Sequence, residues 1–74
     1  MIPVYVTVGI GHWTAYAEVE LIACPHVGDS IEVRGIDVNC EHVHITAKKV
    51  YVREVIKFQS EDALKEYTDA GWKR

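Results

Sequence analysis

Two nine-residue runs of apolar alternation, Ile2–Ile10 and Trp13–Leu21, leave this chain few ways to fold. In the first, Val4, Val6, Val8 and Ile10 share one face, and Tyr5, Thr7 and Gly9 share the other. In the second, Trp13, Ala15, Ala17, Val19 and Leu21 face inward, with Thr14, Tyr16, Glu18 and Glu20 outward. A period of two built largely from β-branched residues marks a half-buried strand. Gly9-Ile10-Gly11-His12 supplies two glycines for a tight reversal, so the runs are expected to form an antiparallel hairpin.

The next punctuation is Cys24-Pro25-His26-Val27-Gly28-Asp29-Ser30-Ile31. Pro25 fixes φ and has no N–H, Gly28 accepts φ > 0, and Asp29 can bond its own backbone. This turn fixes where the third strand starts, with Ile31 and Val33 inward. Arg34-Gly35-Ile36-Asp37 reads as a further turn, and Val38–Cys40 as either its tail or the start of a strand. From His42, alternation returns with Val43, Ile45 and Ala47 inward and His42, His44 and Thr46 outward. Lys48-Lys49 shifts the pattern by one residue, which demands a turn or bulge before a last strand, Val50–Phe58. A second irregularity is expected near Val55-Ile56.

Ser60–Ala70 reads as a helix. Ser60 suits the N-cap, Glu61 and Asp62 complement the helix dipole, and Gly71 suits the C′ position. Leu64 and Tyr67 share one face, and Trp72 at C″ is placed to cover Tyr67. The expected fold is mainly β, about five antiparallel strands in a small, partly open barrel with one short C-terminal helix. It forms a single domain, with the barrel over residues 1–58 and the helix and tail over 59–74.

The order strand, Pro25-x-Val27-Gly28-Asp29-x-Ile31, short strand, loop and Val/Ile-alternating strand resembles small SH3-like β-barrel proteins. Such proteins are encoded by phages and other mobile elements, including integron gene cassettes. The resemblance spans residues 13–58. It implies a barrel and no catalytic residue.

Composition narrows the function. Domains shorter than about 70–80 residues usually need a metal, a disulfide or a partner subunit. With 74 residues, of which 49% are apolar, a homo-oligomer is the expected solution. The net charge of −3 argues against a dedicated nucleic-acid binder. Charge is uneven, however: Lys48, Lys49, Arg53 and Lys57 cluster against Glu54 alone, while Arg34 is the only basic residue before them. Met1-Ile2-Pro3 has neither a basic start nor an apolar h-region, so no signal peptide is expected. No run reaches the length of a membrane span. Two cysteines without a secretory signal point to reduced thiols in the cytoplasm.

Three constellations bear on chemistry. Tyr5, Tyr16 and Tyr51 lie on outward strand faces with His42 and His44, and together with Trp72 they are the expected binding or interface residues. Cys24-x-His26 and Cys40-x-His42 carry thiolates and imidazoles that could hold zinc if the pairs met, although small apolar filling is the plainer role of such cysteines. Lys48, Lys49, Arg53 and Lys57 around Tyr51 offer a third reading, single-stranded nucleic acid. Cys40-Glu41-His42 lacks an orienting third group and an oxyanion donor, so no enzyme activity is expected.

Overall fold

The computed structural model describes residues 1–56 and 61–74. Its elements are β1 (Ile2–Ile10), β2 (Trp13–Leu21), β3 (Ser30–Val33), β4 (Ile36–Asn39), β5 (His42–Ile45), β6 (Val50–Ile56) and α1 (Glu61–Asp69). The fold is mainly β with one short C-terminal helix, as the alternation requires. Strands β2-β1-β6-β5 form one open sheet, and β3-β4 form a second. Ser60, expected as the helix cap, and the Lys57-Phe58 end of the last strand lie outside the described residues.

Antiparallel pairing joins β1 to β2, β5 to β6 and β3 to β4, whereas β1 and β6 run parallel. The parallel pair is the centre of the sheet. Val4, Val6 and Val8 lie alongside Val50, Val52 and Glu54. Flanked on both sides, these strands bury their inward valines almost completely. Val33 and Val38 from the second sheet, with Cys40 just after it, close over the same face, and Leu64, Tyr67 and Trp72 complete the core.

The β3–β4 hairpin turns on Arg34 and Gly35, at φ 52° and 83°. Positive φ at both central residues is the type I′ geometry, which matches strand twist. Ile36 and Asp37 therefore already belong to β4, which runs on to Asn39. The Lys48-Lys49 shift is a turn. Thr46 Oγ1 accepts the N–H groups of Lys48 and Lys49 at 3.3 and 3.1 Å and donates to the Lys49 carbonyl at 2.8 Å.

Two inward assignments need correction. Ile45 pairs with Val50 at the corner of the sheet, at the end of an edge strand, and is left 64% exposed. Ala47 has already entered the turn and is exposed. The irregularity expected near Val55-Ile56 does not occur, because β6 keeps its register with β1 through Ile56. The sequence pattern falters because inward position 54 is a glutamate. Glu54 Oε2 accepts the Asn39 N–H at 3.0 Å, and Glu41 Oε2 accepts the Val55 N–H at 2.7 Å.

The chain leaves α1 through Gly71 at φ 100°. Trp72 N–H donates to Tyr67 O and Gly71 N–H to Thr68 O, both at 3.1 Å. These are the paired bonds of a Schellman stop. The Trp72 ring meets Tyr67 edge-on at 5.0 Å, and α1 packs against β2 of its own chain. No helix among the described residues is long and apolar enough to cross a membrane.

Candidate functional site

One face of the four-stranded sheet is covered and the other is open. Strand register arranges the open face in rows. One row reads Glu18, Tyr5, Tyr51, His44 across β2, β1, β6 and β5; the next reads Tyr16, Thr7, Arg53, His42. The structure thus brings together five of the residues that the sequence marks as interface, Tyr5, Tyr16, Tyr51, His42 and His44. Trp72, the sixth, is in the core at 4% exposure.

The rings are in contact. Tyr5 stacks on Tyr16 with centroids 5.8 Å apart and meets Tyr51 edge-on at 5.9 Å. His44 lies 6.2 Å from the Tyr51 ring. Beside them, Tyr5, Thr7, Tyr51, Arg53, His42 and His44 line a shallow, largely apolar depression of about 270 Å³.

Within the strands themselves, charge on the face is divided by side, and Lys49 and Lys73 flank the acidic edge from outside them. Glu18 and Glu20 stand on β2, while Arg53 belongs to β6, with His42 and His44 on β5. Lys49, just before β6, reaches across to Glu18 Oε1 at 3.5 Å and places its Nζ 5.7 Å from the Tyr5 ring centre. Lys73 joins the same face. It pairs with Tyr16 in an antiparallel bridge, and directly paired residues point the same way. Thr7 shares the outward parity of Tyr5 along β1, but no local signal in the sequence marks Lys73 for this surface, because only its pairing with Tyr16 brings it there. Of the other basic candidates, Lys48 is exposed in the turn and Lys57 lies outside the described residues.

The Cys/His set is divided. Cys40 is fully buried in the core, and burial, then the charges of Asp29 and Glu54, raise its thiol pKa. His42, two residues on, stands on the open face, because the chain bends at Glu41 before β5 begins. Cys24 is half-buried, with its Sγ 3.5 Å from the Pro25 carbonyl oxygen. His26 is exposed, its N–H donating to Asp29 Oδ2 at 2.9 Å. Both cysteines are free thiols, and among the described residues no group of three or more His, Cys, Asp or Glu is placed to hold a metal.

Comparison of the chain with protein-family models, with curated proteins and with solved structures finds no match.

Proposed function

We propose that this protein is a non-enzymatic binding and adaptor module that self-associates through the open face of its sheet. The observation that carries this is Tyr5 in ring contact with both Tyr16 and Tyr51 at the middle of an uncovered four-stranded face. Tyrosines on strands give large, rigid contact area at small cost in side-chain entropy, and each keeps a hydroxyl for a partner. A chain of 74 residues also gains most from covering such a face with a second subunit. Two free thiols fit a cytoplasmic address, which is part of the proposal.

Sedimentation equilibrium tests the reading, with Tyr51→Lys as the variant. Tyr51 is 41% exposed, so the change leaves the core alone. The wild type is expected as a multiple of the chain mass, with a Tm that rises with protein concentration. Tyr51→Lys is expected to be a folded monomer. A wild type that stays monomeric at every concentration defeats the proposal.

One observation supports a second reading. Arg53, Lys49 and Lys73 share the face with the tyrosines, as stacking and neutralisation of single-stranded nucleic acid would need. Glu18 and Glu20 oppose it. A steep salt dependence of oligonucleotide binding would favour this alternative.

A further inference from the structure

If the open face is where two copies meet, as proposed above, its charge layout selects how they meet. Two sheets packed face to face align their strands within about 30°, at a separation of about 10 Å. An isologous pair of this kind has its twofold axis in the plane between the sheets, either across the strands or along them. An axis across the strands sets each strand on its own copy. It brings the Glu18 and Glu20 strand against itself, and the Arg53 strand against itself. An axis along the strands reverses left and right instead, so β2 lies on β5 of the second copy and β1 lies on its β6.

The rows then fix the contacts. Glu18, Tyr5, Tyr51 and His44 face His44, Tyr51, Tyr5 and Glu18 of the second copy, in that order. Glu20 falls against the turn after the second copy's β5, which carries Lys48. Tyr16 meets His42, and Thr7 meets Arg53. Acid lies over imidazole or ammonium and ring lies over ring, with no like charges opposed.

We infer that the chain pairs with a second copy of itself, face to face about a twofold axis parallel to the strands, placing Glu18 of each copy on His44 of the other. The inference rests on the self-association proposed above. Such a pair is self-complementary without any change to the tyrosine centre.

Charge reversal tests it. Glu18 and His44 are both exposed, so neither substitution disturbs the core. Loss of the Lys49 contact to Glu18 costs little stability, because that pair stands at the surface. Glu18→Lys alone opposes lysine to His44 at both contacts, and His44→Glu alone opposes two carboxylates at both. Each single variant should dimerise at least about tenfold more weakly than the wild type. In an equimolar mixture, the Glu18→Lys chain and the His44→Glu chain satisfy both contacts and should form a heterodimer. Its Kd should lie within about threefold of the wild-type value. The double variant Glu18→Lys/His44→Glu should also recover.

Single variants that pair as tightly as the wild type, while Tyr51→Lys does not pair, overturn this axis and leave the face reading intact. Weak single variants that fail to rescue each other overturn it as well. A monomeric wild type overturns both, and if that monomer binds a deoxythymidine oligonucleotide with steep salt dependence, the face belongs to nucleic acid.

Discussion

Lys73 and Tyr16 exchange both of their backbone hydrogen bonds, Tyr16 N–H to Lys73 O at 2.7 Å and Lys73 N–H to Tyr16 O at 2.9 Å. This single bridge ties the tail to the edge strand and sets which way each neighbour points. Lys73 goes to the open face with Tyr16, so Trp72 must go inward, where it packs on Tyr67. The tail therefore contributes to both the core and the candidate site.

Trp72→Ala should be among the most damaging single changes. Removing a buried aromatic costs about 3–5 kcal/mol, a large fraction of the stability of a domain this size. Trp72→Phe keeps the edge-on contact. It also removes an indole N–H that is buried without a hydrogen-bond partner among the described residues. Its cost should stay below about 1.5 kcal/mol, because no hydrogen bond is lost. Urea denaturation of the two variants measures the difference. Equal losses would show that a phenyl ring keeps none of the packing that the indole makes with Tyr67.

Gly71→Ala should cost about 1–2 kcal/mol, and for a backbone reason. A Cβ there would make only ordinary contact with Arg34, at 3.5 and 3.7 Å, but φ is 100°. Gly9→Ala is the control. Gly9 is not among the positive-φ glycines, its Cβ has room, and alanine suits a strand interior better than glycine. Circular dichroism melts should show a lower Tm for the first variant and an unchanged or higher one for the second.

How much was legible in the sequence follows from the range of the forces involved. Alternation fixes side-chain parity strand by strand, so the inward valines and the outward tyrosines could be assigned from Val4 to Tyr51 without knowing any pairing. The helix stop was equally local, since Gly71 and Trp72 act within one turn of Tyr67. Pairing order was not legible. Nothing local says that β6 lies beside β1, or that they run parallel, because their contacts close across more than forty residues. The rows on the open face come from that pairing and were hidden with it. Glu54 shows the same limit. It breaks the apolar pattern, but its reason is Asn39, fifteen residues away on another sheet. Ile45 was misplaced because parity gives the face of a residue and not whether anything covers it.

Stability should decline at alkaline pH through two buried acids. Burial, reinforced by the charges of Asp29 and Glu54, raises the Cys40 thiol pKa; burial, with Glu54 and Glu66, raises that of the Tyr67 hydroxyl. A folded-state pKa above the unfolded value means that the unfolded chain ionises first as pH rises. The stabilisation is complete below the unfolded values and is lost as pH climbs through the folded ones, from about pH 9 upward. Denaturant midpoints measured across this range should fall. Cys40→Ala should flatten the first part of that fall, and an unchanged slope in the variant would remove Cys40 from the account.

Chelator should leave this protein's stability where it was. The zinc reading needs Cys24, His26, Cys40 and His42 around one point. Cys40 is instead sealed in the core beside Val33 and Val38, and His42 stands on the far side of the sheet. Bringing a thiolate from Cys40 to His42 would mean drawing a fully buried side chain through the sheet that separates them, at the cost of its core contacts. The Tm measured with excess chelator should therefore match the Tm measured with added zinc. Cys40→Ala should lose about 1 kcal/mol through the volume of the missing sulfur, equally in both conditions. A fall in Tm with chelator that Cys40→Ala abolishes would mean that the thiol leaves the core to bind metal.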